Sequence, residues 1–420
     1  MIRLSEGLDL AKVMAPLCVD LDQDPELSFA QCVLSVLCEP GDGLAGALSE
    51  TVGPVALVEA VINRSPTAGA FASVPPDEIR SIEEAFRRNR QELWQDCLES
   101  WSPRVSQGAM LSMLDSFISI NGRVYPHASE YYPEALNDLG SARPHVLWAR
   151  GKGDFLRESL RVGLVGSRNS TPYGRRVAID LVAEAVAHGI VTVSGGAFGI
   201  DATVHSATLE DDGDTIAIMA GGLDNLYPSG NQDLFSKMLQ KSLFLAEVPP
   251  GVAPTKWRFL QRNRLIAALS KATIVVEAGA RSGSLNTASH AMLLQRPVAA
   301  VPGPITSAGS QGANELLRSG AGMVQVLTSV SDLPYLCLNK FRTSAPEVGI
   351  GNLEVRVLDA LGNEVLTEFE LRRRSGLNKA ELKIAIESLG ELGLVVNLLG
   401  RFKKRHSLSP PEPEGTQILW

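Results

Sequence analysis

The chemistry of this chain is concentrated in arginines and hydroxyls set among glycines. The first such cluster is GSRNS (166–170), within VGLVGSRNSTPYG. Gly166 lets the backbone approach a ligand, Ser170 or Thr171 caps a helix, and Pro172 stands where a first-turn proline is tolerated. Free N–H groups at that helix start attract an anion. Arg168 adds a planar, permanently charged fork suited to phosphate oxygens. SGGAFGID (194–201) repeats the device, with Ser194 and Gly195 at a strand end and Gly199 ahead of Asp201, which reads as a cap rather than an acid. Phe198 is either a base-stacking platform or part of the core. GARSGSLNT (279–287) places Ser282, Ser284 and Thr287 around Gly283, a nest of neutral donors. One basic window, VAPTKWRFLQRNRLIAALSK (252–271), carries Lys256, Arg258, Arg262, Arg264 and Lys271 without an acidic residue. Arg262 and Arg264 beside the serine nest describe a surface for several phosphates: a polyphosphate ligand or a nucleic-acid backbone.

These clusters need elements to gather them. RVGLVG, IVTVSG, TIAIMAGG, LFLAEVP, ATIVVEAG, PVAAVPG and MVQVL are apolar almost throughout, as strands buried on both faces of a parallel sheet must be. Each is followed by small residues and a helical pattern, which predicts an α/β fold over 106–335: a Rossmann-like, doubly wound parallel sheet whose post-strand loops share one edge. FISINGRVYP and HVLWARG extend or edge that sheet, with YYPEALNDL as a short helix between them. Residues 1–105 show helical spacing and predict a small helical N-terminal domain, in which EPGDGLAGALSETVGP is helix punctuation rather than a DNA grip. A linker is expected over 336–350, a C-terminal winged helix over 351–406 and a flexible tail over 407–420. In the winged helix Lys379 and Lys383 are offset by Glu381, Glu387 and Glu391, while Arg372, Arg373 and Arg374 offer backbone contacts or a protein-docking surface.

Composition narrows the function classes. The net charge of −8 repels polyanions in general, so any phosphate contact must be local. Five cysteines without a C-x-x-C pair argue against a disulfide framework and a zinc site, and read as reduced, packed thiols. The first residues lack a basic segment followed by an apolar run, and no stretch is long enough to span a bilayer; a cytoplasmic protein is expected. GxxxxGK[ST], HExxH and GxSxG are all missing, and the six histidines, His205 and His290 among them, have no metal-ligand spacing. A binding protein without metal or cofactor is expected, not an enzyme.

VGSRNSTPYG, SGGAFGID, AGGLDNLYPSGN, RNRLIAALS, VVEAGARSGSLNTASHA, VPGP and QGANELLRSGA together cover most of 160–325. In this order they resemble the DNA processing protein A (DprA, or Smf) family. The resemblance implies an extended Rossmann-like domain that binds single-stranded DNA, usually as a homodimer, and helps load a RecA-type recombinase on incoming DNA during natural transformation. It matches Ser167, Arg168 and the run Arg262, Asn263 and Arg264 to motifs of the family's DNA pocket. Three positions depart from the family pattern: Ala246 where serine is usual, Leu260 where proline is, and Asn286 at an apolar position. Two other readings stay open. A related Rossmann-like family hydrolyses nucleoside monophosphates and carries PGGxGTxxE, where this chain has EAGARSGSLNT; a winged-helix regulator that senses a nucleotide is the third.

Overall fold

Strands that are apolar on both faces must be covered on both sides, and the chain arranges its helices accordingly. The structure, a computed structural model, describes residues 3–19, 23–153, 155–156, 159–320, 324–338, 351–362, 364–398 and 400–404. Nine strands form one sheet: β1 (Arg123–Pro126), β2 (Val146–Gly151), β3 (Arg161–Gly166), β4 (Val191–Ser194), β5 (Thr215–Met219), β6 (Leu243–Ala246), β7 (Ala272–Glu277), β8 (Val298–Ala300) and β9 (Val324–Val326). Their order is β1-β2-β6-β5-β4-β3-β7-β8-β9. From β6 to β9 every pairing is parallel, whereas β1 and β2 join as antiparallel edge strands. The winding reverses between β3 and β7, which makes that pair the topological switch point.

Eight helices precede and flank β1: α1 (Leu10–Met14), α2 (Pro25–Leu37), α3 (Gly43–Val52), α4 (Pro54–Ile62), α5 (Thr67–Ala70), α6 (Pro76–Phe86), α7 (Arg90–Trp101) and α8 (Gln107–Ser119). Their apolar residues share one core with the sheet, where Leu34, Leu48, Leu57 and Trp94 belong to the same cluster as Trp148, Met219 and Phe244. The Phe117 ring meets Trp148 edge-on at 5.4 Å. The crossovers that follow are α9 (Pro172–Ala187), α10 (Ile200–Glu210), α11 (Gln232–Lys241), α12 (Lys256–Leu269), α13 (Ser284–Leu293) and α14 (Gln311–Ser319), and α15 (Leu333–Leu338) closes this part. All five cysteines are buried. Among the described residues, no single helix is long and apolar enough to cross a membrane.

Met1–Glu347 and Val348–Trp420 are two compact units. The second contains α16 (Asn352–Leu361), β10 (Val365–Thr367), α17 (Glu368–Ser375), α18 (Lys379–Glu391), β11 (Val395–Leu398) and β12 (Arg401–Lys404), with strand order β10-β12-β11. Three helices around a small antiparallel sheet give the winged-helix arrangement, over a core that includes Val357, Leu371, Leu382 and Phe402. Thr367 and Asn378 each close a capping box, which fixes where α17 and α18 begin. Of the linker expected over 336–350, residues 336–338 complete α15 and 339–350 lie outside the described residues, as does the tail expected over 407–420.

Candidate nucleic-acid interface

Parallel strands finish on one edge, so the loops after β3, β4 and β7 meet there. The Ile200 amide donates to the Ser167 carbonyl at 3.1 Å, and the Ser167 amide to the Glu277 carbonyl at 2.7 Å. Gly199 has φ +79°, and a Cβ there would lie 2.2 Å from the Ser167 carbonyl oxygen. Only glycine allows this approach. From α12, Asn263 donates its Nδ2 to the Gly283 carbonyl at 3.2 Å and to Asn286 Oδ1 at 3.0 Å. The polar residue at 286, unusual against the family pattern, therefore has a partner that ties α12 to the start of α13.

The outward side of this junction is cationic and aromatic. Arg168 is exposed, makes no ion pair among the described residues, and places its Cζ 4.8 Å from the centre of the Phe259 ring. That distance is a cation–π contact. Lys256, exposed, begins the same helix one turn ahead of Phe259. The Tyr227 ring, 49% exposed, lies 5.9 Å from Phe259 and tilted against it. In the loop after β4, Phe198 is 47% exposed, so it is no core residue. Ser167, Ser170, Ser282 and Gly283 are also partly or fully exposed, and the hydroxyls of Ser282 and Ser284 share a 2.7 Å hydrogen bond.

Several of the expected contact residues lie beneath the surface. Arg262, Asn263 and Arg264 are only 6%, 7% and 3% exposed. Every position from Gln261 to Leu269 is buried, because α12 is enclosed on all sides over that length. Arg262 donates to the Gly195 carbonyl at 2.6 Å and to the Ile218 carbonyl, joining the ends of β4 and β5. Burial pulls it down to about 10, and the Arg168 charge adds to that against the opposing pull of Asp201. Arg264 is ion-paired with Glu247, whose carboxylate also accepts the Gly41 amide at 3.0 Å. Burial raises the Glu247 carboxyl above the ordinary range, while Arg264 lowers it. The ion pair and burial oppose each other, and direct contact holds the two side chains together.

Ser194, Gly195, Ser284 and Thr287 are buried as well. Ser194 donates to the Leu164 carbonyl at 2.7 Å. Asp201 accepts the Gly195 and Ala197 amides at 3.1 and 3.3 Å, so it is a cap, though for the loop before α10. The helix start at α9, expected to take an anion, is filled from within: Glu277 accepts the Thr171 amide at 2.9 Å, and Thr171 Oγ1 accepts the Gly174 amide at 3.1 Å. Glu277 thus occupies the switch point where open α/β sheets ordinarily bind ligands. The cationic and aromatic surface lies to one side of it, between β3, β4 and α12. The sequence reading missed Phe259 and Tyr227; the one signal was an aromatic one helical turn from a lysine in KWRF.

Known proteins share this frame. Residues 123–333 match the model of the family described as DNA recombination-mediator protein A. A protein of Mycobacterium tuberculosis named "Putative DNA processing protein DprA" is 41% identical over 266 residues, which is 62% of this chain and 68% of its own. The DNA processing protein DprA of Bacillus subtilis is 40% identical over 196 residues, 47% of this chain and 66% of its own. Among solved structures, DNA processing protein A from Streptococcus pneumoniae superposes with a TM-score of 0.52 at 30% identity, covering 70% of this chain and 97% of that one.

Proposed function

The chain belongs to the DNA recombination-mediator protein A family, and from that premise we propose that its rim holds single-stranded DNA for delivery to a RecA-type recombinase during natural transformation. Arg168 takes the phosphates, Lys256 adds a second charge, and Phe259 and Tyr227 stack on unpaired bases. Stacking of this kind is tolerant of sequence because every base has a π-face. Gly166, Ser167, Gly199, Ser282 and Gly283 shape the floor. The observation that carries this reading is the exposed guanidinium of Arg168 over the Phe259 ring, at 4.8 Å.

The protein works by binding, in the cytoplasm, as a homodimer, and without turnover. Two carboxylates beside the rim support a binding role: Asp201 and Glu277 are each committed to backbone amides. Hydrolysis of a nucleoside monophosphate is the weaker reading, since Glu277 fills the switch point. Competition between single-stranded and duplex oligonucleotides across a salt series tests the proposal. Single strands of any sequence are expected to win; equal affinity, or a preference for one duplex sequence, would overturn it.

A further inference from the structure

We propose that Glu39, on the turn between α2 and α3, is a positioning residue for the single-strand site and acts through Arg258 on the first turn of α12. This rests on the site reading above. Arg258 donates to both carboxylate oxygens of Glu39, at 3.2 and 3.0 Å, and to the Ala253 carbonyl at 2.9 Å. Glu39 is itself held by Arg104 at 3.2 Å, and Arg104 also donates to the Leu37 carbonyl at 2.8 Å. The turn is seated at a second point, where the Gly41 amide meets Glu247. Gly41 has φ +70°, and a Cβ there would lie 2.9 Å from Gln261 Oε1 and 3.1 Å from Arg264 Nε. Residues 38–42 therefore fit across α12 at 258, 261 and 264, positions that recur on one helix face.

Lys256 and Phe259 flank Arg258 within the same helical turn. The contact between Phe259 and Arg168 is a ring-to-cation contact with soft geometry, so it does not lock the first turn of α12 in place by itself. The cap at this end is long, with Thr255 accepting the Arg258 amide at 3.4 Å. Anchoring falls to the partly buried pair of Arg258 and Glu39, which links the N-terminal helices to the rim.

The sign of the effect separates positioning from charge. Removing an acidic side chain near the rim raises attraction for a polyanion if only the field matters. Positioning predicts the reverse. In the full chain, Glu39→Gln is expected to weaken binding of a fluorescent single-stranded oligonucleotide roughly three- to tenfold, and to have little further effect when combined with Phe259→Ala. Arg258→Lys, which keeps the charge but loses the fork, is expected to give the same loss and serves if Glu39→Gln is unfolded at the assay temperature. Unchanged or tighter binding by the folded variant overturns the proposal, and so does a loss that persists undiminished in the Phe259→Ala background. If Phe259→Ala alone binds as tightly as the parent, the site reading itself fails, and this proposal with it.

Discussion

At the scale of single residues, His205 shows what the interior beneath the rim costs. Its Nδ1 pairs with Thr215 Oγ1 at 2.8 Å, while Nε2 is buried without a hydrogen-bond partner among the described residues. Burial, with the Arg262 charge adding to it, pulls this imidazole down to about 3, and burial likewise pulls His145 down to about 4. In the unfolded chain both titrate near 6.5. Below that pH the unfolded state binds protons that the folded state refuses, so stability present above pH 6.5 is lost as pH falls toward the folded values. Each group contributes up to about 1.4 kcal/mol per pH unit in that window. Asp201 and Glu247, raised by burial, act in the opposite sense, closer to the carboxylate range. The histidine effect is therefore cleanest between about pH 6.5 and 5. His205→Asn is expected to give a shallower decline of the urea midpoint across that window than the parent; an unchanged slope would mean that His205 is charged in the folded state.

At the scale of elements, the rim depends on how closely two loops approach. A side chain at 199 would meet the backbone of Ser167 and Arg168 and would have to adopt a left-handed conformation. Gly199→Ala is expected to destabilise the protein by about 1–3 kcal/mol in thermal unfolding and, where folded, to weaken single-strand binding by displacing Arg168. Parent-like stability would show that the loops separate at no cost. The strands themselves were legible in the sequence because burial on both faces demands apolar runs such as TIAIM, and the shared edge followed from their parallel order. Legibility failed on α12. A helix enclosed all round from 261 to 269 has no polar face, so the charges of Arg262 and Arg264 suggest a phosphate surface in the sequence when their partners in the fold are Gly195, Ile218 and Glu247. Those partners are distant in sequence. So is Glu277, which lies 106 residues from the Thr171 amide that it accepts. Phe259 was hidden for the opposite reason: an aromatic in a basic window, with Trp257 two residues before it, carries no sign of which loop will face it.

At the scale of the whole molecule, a chain with 47 acidic and 39 basic residues must bind a polyanion against its own field. Arg258, Arg262 and Arg264 are spent on carbonyls and carboxylates inside the protein, whereas Arg168, over the Phe259 ring, and Lys256, one helical turn before it, are exposed. Two phosphate neutralisations on a single strand give a slope of log affinity against log salt of about −1.4. The measured slope is therefore expected to be shallow, with stacking supplying much of the affinity and persisting at salt concentrations that strip strands from basic proteins. Arg168→Ala should reduce the slope to about −0.7 and weaken binding at every salt concentration. A slope steeper than about −4 in the parent would require more phosphates than this rim can neutralise. The strand would then have to run over other cations of the first unit, such as the exposed Arg281 in the loop after β7, and the aromatic surface would lose its claim to be the principal site.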